Sequence, residues 1–341
     1  MVLMNDNEIE QLKILRDHPV FLGGHPKSGT SLLRALLDSH PQLVVYPEES
    51  GFFRRFLPQS SGLDLAAKIE LAEKNLIHIF TWQKENQPDS QAGFPDRDYS
   101  AISFADIARI MAEIIDKAGY RHDGDILSAA VLAYGKVSGL WQDGASYWVE
   151  KSPYNEYYAD LIFRWWQEAR CIYIVRDPRD NHASYRRKHP DWSAEFFAAN
   201  WKRSVVACQQ NVIRYGKDHC RLIRYEDLVR KPQETLEQIT TFLGIDANPI
   251  LAQPTRAGVT WKGNSMFADQ FSAISTTPLG RWKETLEPSE AAVIELMTAE
   301  QMQALNYEPQ SGYSLSSRWR AVTWTMRRKF EKRSATDALR K

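Results

Sequence analysis

The chain has 341 residues, 43% hydrophobic and 25% charged, with 43 Lys and Arg set against 43 Asp and Glu. That length holds one large α/β domain or two smaller ones with a sizeable core, and the balanced charge gives no reason to expect a nucleic acid partner. Three cysteines, Cys171, Cys208 and Cys220, lack C-x-x-C spacing. They suggest neither a disulfide framework nor a zinc site and favour a reducing compartment. The N-terminus is polar and acidic, and no apolar run approaches about 18 residues, so the expected location is the cytoplasm.

In chain order, Ile9, Leu12 and Leu15 give a short amphipathic lead-in. Val20-Phe21-Leu22 then suits a buried strand, and Gly23 and Gly24 open a tight polar turn that ends at Gly29, Thr30 and Ser31. Leu32, Leu33, Leu36 and Leu37 recur at helical spacing until Ser39-His40-Pro41. Strand, glycine-bearing turn and helix start make an anion cradle, because first-turn N–H groups lack intrahelical partners and the helix dipole favours negative charge. Lys27 adds a full positive charge inside the turn. A Walker A loop, GxxxxGK[ST], has its lysine directly after the second glycine; here Thr30 takes that place, so the loop is of a different kind. The plainer alternative is a strand-to-helix turn whose glycines only permit close packing.

Leu43-Val44-Val45-Tyr46 reads as a second strand, closed by Pro47-Glu48-Glu49-Ser50. Residues 51–146 read as a largely helical insertion flanking the cleft and shaping an acceptor pocket. It has a periodic segment from Ile69 to Phe80, a loop over 87–100, and a helix over 104–118 with Ile107, Ile110, Met111, Ile114 and Ile115 as its stripe. Phe52, Phe53, Phe56, Trp82 and Phe94 suit either that pocket or the core. Tyr147-Trp148-Val149 returns to strand character before Glu150-Lys151-Ser152-Pro153, and a helix is expected over 155–167. Residues 171–175 (CIYIV) and 220–225 give two further strands, and 233–243 a helix stopped by Gly244. Strands alternating with helices imply an α/β fold with a mostly parallel, P-loop-like central sheet flanked by helices.

After the 171–175 strand comes RDPRDNHAS, with Arg176 and Ser184 eight apart. Ligands of parallel α/β sheets gather at carboxyl strand ends, and a guanidinium with a hydroxyl suits a second phosphate. The competing reading pairs Arg176 with Asp177 or Asp180.

GGHPKSGTS followed by IVRDPRDNHAS resembles the two nucleotide-binding signatures of sulfotransferases that use 3′-phosphoadenosine 5′-phosphosulfate (PAPS). Tyr225-Glu226-Asp227 resembles the adenine-side tyrosine segment of that family. Lys262-Gly263-Asn264-Ser265 with the later GRWK resembles its C-terminal basic-Gly loop. Where cytosolic small-molecule members carry a catalytic histidine, this chain reads Glu150-Lys151-Ser152-Pro153. That is similar to the Golgi-type and bacterial branch, including tyrosylprotein and heparan sulfotransferases, which uses a glutamate base. The resemblance implies PAPS as donor and a hydroxyl or amine acceptor. It assigns His25, Pro26, Lys27, Ser28, Gly29, Thr30 and Ser31 to the 5′-phosphosulfate, Arg176 and Ser184 to the 3′-phosphate, and Tyr225, Lys262, Gly263, Asn264 and Ser265 to the rest of the donor.

Charge develops on the leaving phosphate oxygen during such a transfer, so Lys27 and Lys151 suit transition-state stabilisation and Glu48 or Glu49 suits the general base. The alternatives are a solvated acidic turn at Glu48-Glu49 and an ion pair of Lys151 with Glu150 or Asp160. No metal is expected, because a sulfuryl group carries less charge than a terminal phosphoryl group. The acceptor stays open among a glycan, a lipid-linked sugar, a peptide and a small metabolite. Residues 1–310 are expected to form one domain. Residues 311–341 form a basic amphipathic tail with Trp319, Val322, Met326 and Phe330 at helical spacing, suited to a peripheral membrane contact or to docking on the domain. The competing functions are a P-loop kinase-like phosphotransferase and a non-catalytic nucleotide-binding scaffold.

Overall fold

A computed structural model describes residues 6–78, 80, 99–267, 269–271 and 273–338, with side chains from 8 to 327. Its centre is a five-stranded parallel sheet of β1 (Pro19–Gly23), β2 (Leu43–Val45), β3 (Tyr147–Lys151), β4 (Arg170–Val175) and β5 (Cys220–Arg224). The spatial order is β2-β3-β1-β4-β5. β1 pairs with β3 from Pro19↔Trp148 to Leu22↔Lys151 and with β4 from Val20↔Arg170 to Gly23↔Tyr173. Both faces are covered, which is why these strands read as continuous apolar runs rather than alternating ones.

Alternate residues go to opposite layers. Phe21, Val44, Trp148 and Tyr173 pack with the insertion helices Phe104–Ala118 and Gly124–Ser138. Val20, Leu22, Val149 and Ile172 pack with the helices Thr30–Leu37 and Pro232–Leu243. The helix Phe104–Ala118 follows the expected stripe: Ile107, Ile110, Met111, Ile114 and Ile115 are all buried. Ser103 caps its start by accepting from the Asp106 N–H, and Gly119 ends it.

Among the described residues, the insertion supplies one layer of the core and part of the cleft wall. Phe52, Phe53 and Phe56 are core residues, at most 4% exposed, while their neighbours Arg54 and Arg55 reach the cleft. Trp82, Phe94 and most of the 87–100 loop lie outside the described residues. The helix expected over 155–167 is a 3-10 turn, Asn155–Tyr158, followed by the short helix Ala159–Trp165. Tyr154 sits left-handed at φ 72, so the chain leaves β3 in a tight turn before any helix starts. The C-terminal helix Leu315–Ala338 packs on the helix Pro288–Ala304.

Candidate functional site

All five strands point their carboxyl ends to one edge of the sheet, where a cleft of about 1490 Å³ opens. Its floor is the turn after β1. Gly24 has φ 133, and a Cβ there would lie 2.3 Å from the Ile174 carbonyl oxygen. Gly29 has φ 105, and its Cβ would lie 2.4 Å from the Tyr225 ring. Only glycine lets the turn run this close to β4 and to Tyr225. The turn is tied from behind by Glu156, whose Oε2 accepts from the Gly24 N–H at 2.8 Å, and Glu156 is held in turn by Ser204. The helix Thr30–Leu37 begins at Gly29 without a side-chain cap, leaving its first-turn N–H groups to the cleft.

Cations converge on this floor. Burial, with Lys188, Lys151 and Arg176 nearby, pushes the Lys27 ammonium down to about 8, and Glu49 offsets only part of that. Lys27 Nζ reaches the Asn264 carbonyl at 3.4 Å. Arg176, at the end of β4, donates to the Lys27 carbonyl at 3.3 Å, to Ser184 Oγ at 3.4 Å and to the Pro278 carbonyl at 2.7 Å. Its guanidinium lies 4.7 Å from the centre of the Tyr225 ring, and its buried Nε has no hydrogen-bond partner. Asp177 is occupied with Arg179, and Asp180 accepts from the Gly280 and Trp282 N–H groups, so neither aspartate neutralises Arg176 through a hydrogen bond.

Opposite the cations lie the two glutamates after β2. Glu49 is half exposed, and its Oε1 is 2.6 Å from Lys151 Nζ. Burial pushes its carboxyl up, but Lys151, Lys188 and Lys27 outweigh this and hold it below the usual glutamate value. Glu48 accepts from the Tyr99 hydroxyl at 2.8 Å and lies 3.7 Å from Arg256. Behind both, the fully buried Glu150 accepts from Ser50 Oγ at 2.7 Å, Ser152 Oγ at 2.6 Å and Asn155 Nδ2 at 2.7 Å. Burial raises its pKa against those hydrogen bonds. Glu150 thus clamps the Glu48-Glu49 turn to the end of β3 and leaves Lys151 facing the cleft. An arm of the cleft runs past Tyr154, Tyr157, Tyr185 and Trp192, with Arg54 and Arg203 over the Tyr154 and Tyr157 rings.

The profile of the sulfotransferase family matches residues 19–249. The chain belongs to that family. Among curated relatives, the chain is 23% identical over 252 residues to protein-tyrosine sulfotransferase 2 of Gallus gallus, covering 72% of this chain and 56% of that one. It is 24% identical to the protein-tyrosine sulfotransferase of Drosophila melanogaster, over 67% of this chain and 38% of that one. The chain thus spans about half the length of the curated relatives it matches. Among solved structures, the sulfotransferase domain of the Synechococcus PCC 7002 olefin synthase is similar with a TM-score of 0.50 at 21% identity, covering 85% of this chain and 95% of that one. This agreement extends to the fold.

In this chain, Pro26, Lys27, Gly29, Thr30, Ser31, Glu48, Glu49, Lys151, Arg176, Ser184, Tyr225, Gly263, Asn264 and Ser265 all line one cleft. Three residues assigned with them do not. His25 is buried among Tyr154, Tyr185 and Phe197, and burial pushes its imidazole down to about 4. The Ser28 side chain is fully buried beneath the turn, and Lys262 is exposed outside the cleft. Gly263, at φ 89, reverses the chain so that Asn264, not Lys262, turns inward to Ser31 Oγ at 3.2 Å. Glu156, Lys188 and Arg281 went unassigned in the sequence. Arg281 left a signal there in the GRWK segment and Lys188 in the basic run RRKH just past Ser184, whereas Glu156 left none.

Proposed function

We propose that this chain transfers the sulfuryl group of PAPS to an acceptor hydroxyl or amine. The observation that carries the reading is the convergence of Lys27, Lys151, Arg176 and Lys188 on the start of one helix, facing two glutamates of which Glu48 is already engaged by Tyr99 and Arg256. Such an excess of cation, with a buried guanidinium Nε left unpaired, suits a ligand bearing several anionic groups. The turn from Pro26 to Ser31 would hold the 5′ end of the donor. Arg176 and Ser184 would hold the 3′-phosphate, and Tyr225 the adenine side. Asn264 and Ser265 would close over it. Bound there, the donor supplies a sulfuryl group attached to a phosphate leaving group.

The residues of the chain supply the rest. Lys27 places positive charge where a phosphate oxygen becomes free, stabilising the transition state more than the ground state. Glu49 takes the acceptor proton. Its partner Lys151 keeps the carboxylate ionised and points it at the cleft, whereas Glu48 is engaged by Tyr99 and Arg256. The aromatic arm beyond Tyr154 suits the acceptor, whose class (glycan, lipid-linked sugar, peptide or small metabolite) is left to a panel.

The test is transfer of label from PAPS to an acceptor panel in EDTA. Transfer that survives EDTA supports the reading. Phosphoryl transfer from ATP that needs Mg²⁺, with no transfer from PAPS, would make this chain a kinase-like enzyme instead.

A further inference from the structure

We propose that the C-terminal helix seats the protein on an anionic lipid surface, independently of what the cleft does. The helix Leu315–Ala338 docks on the body through small residues: Ser317 is 1% exposed and Ala321 8%. Arg320 fixes it further with an ion pair to Glu195 at 2.8 Å. Trp324 is partly buried on that side, and four other large apolar residues face the other way. Leu315, Trp319, Val322 and Met326 are spaced four, three and four apart, so they form one stripe down a helix with 3.6 residues per turn. They are 79%, 66%, 47% and 56% exposed. Single exposed apolar residues are ordinary, but a contiguous stripe marks a surface that meets something.

Charge identifies the occupant. Residues 315–330 contain five Arg or Lys and no acid, and residues 318–341 contain nine against two. The whole chain is neutral, so this segment carries an excess of seven positive charges and the rest of the chain an excess of seven negative ones. A second copy meeting the stripe face to face would bring two such cationic helices together. A soluble polyanion would match the charge but has no use for Trp319, Val322 and Met326. Anionic lipid satisfies both, because the apolar stripe enters the headgroup boundary while flanking cations meet the headgroups. Tryptophan suits that boundary.

The experiment is co-sedimentation of the full chain with vesicles of phosphatidylcholine alone and of phosphatidylcholine with phosphatidylglycerol at three to one. Pelleting is expected with the anionic vesicles only, weakening as salt is raised. W319S/V322S/M326S should bind at least about tenfold more weakly, since it removes most of the stripe. R318E/K329E should lose roughly fivefold for each cation removed, and more for the reversal. The substituted stripe residues are exposed, so the melting temperature should stay within a few degrees of the parent. Full binding by the triple variant would assign the helix to polyanions in general. Equal pelleting with neutral vesicles, no pelleting at all, or a dimer that the triple variant abolishes would each overturn the proposal.

Discussion

Lys151 Nζ lies 2.6 Å from Glu49 Oε1, joining the end of β3 to the turn after β2 across the mouth of the cleft. The pair distinguishes the two adjacent glutamates. Glu49→Gln should lower kcat by about 100-fold or more, the usual range for loss of a general base, with donor affinity little changed. Glu48→Gln keeps an acceptor for the Tyr99 hydroxyl but loses the charge facing Arg256, so it should cost less than about tenfold in kcat and show its effect in the melting temperature. Equal kcat losses in the two variants would contradict the assignment.

The pH profile follows from the same cluster. Against burial, Lys151, Lys188 and Lys27 hold Glu49 below the usual glutamate value, so the acid limb of kcat/KM should lie below the ordinary glutamate range. Lys27 titrates at about 8 in the free protein. It loses its charge above that, so kcat/KM for the donor should fall on the alkaline side from about pH 8. Bound anionic donor favours the charged lysine, and the limb in kcat should therefore move upward. Stopped-assay profiles over pH 4 to 10, repeated with Lys27→Arg to remove the alkaline limb, check both signs.

Gly29→Ala should separate close packing from catalysis. Its Cβ would stand 2.4 Å from the Tyr225 ring at a φ of 105. About 1–3 kcal/mol of strain is expected, with weakened nucleotide binding measured by calorimetry. The double variant Gly29→Ala/Tyr225→Ala should recover part of the stability and none of the nucleotide affinity.

Glu150 is a positioning residue with its own pH signature. Glu150→Gln leaves buried Ser50, Ser152 and Asn155 donors poorly matched and should cost about 1–3 kcal/mol in denaturant melts. Its folded pKa is raised by burial, so the folded chain takes up this proton before the unfolded chain as pH falls. The parent should therefore gain stability relative to Glu150→Gln as pH drops through the raised value, and the gain should level off near the ordinary carboxylate range. A gap that does not change with pH would contradict a raised value.

The sheet was readable because each strand is buried on both faces and so appears as an apolar run, from VFL at β1 to CIYIV at β4. The cradle was readable because its constraint is local: Gly24, Lys27 and Gly29 fall within six residues. The rest of the site depends on contacts across the chain. Glu49 and Lys151 are 102 residues apart, as are Arg176 and Pro278. In sequence Glu156 falls in the helix expected over 155–167 and Glu150 is at most an ion-pair partner for Lys151; only their burial makes them clamps. Lys262 illustrates the opposite case. Its type and position suggested the site, but the turn at Gly263 sends the next residue inward instead.

The most direct measurement is calorimetric titration with adenosine 3′,5′-bisphosphate, adenosine 5′-monophosphate and ATP, without magnesium, on the parent chain and Arg176→Ala. The bisphosphate should bind much more tightly than the other two, and Arg176→Ala should erase most of its advantage over the monophosphate. Binding of ATP in preference to the bisphosphate, or a bisphosphate affinity unchanged in Arg176→Ala, would contradict the assignment of this cleft to the sulfuryl donor.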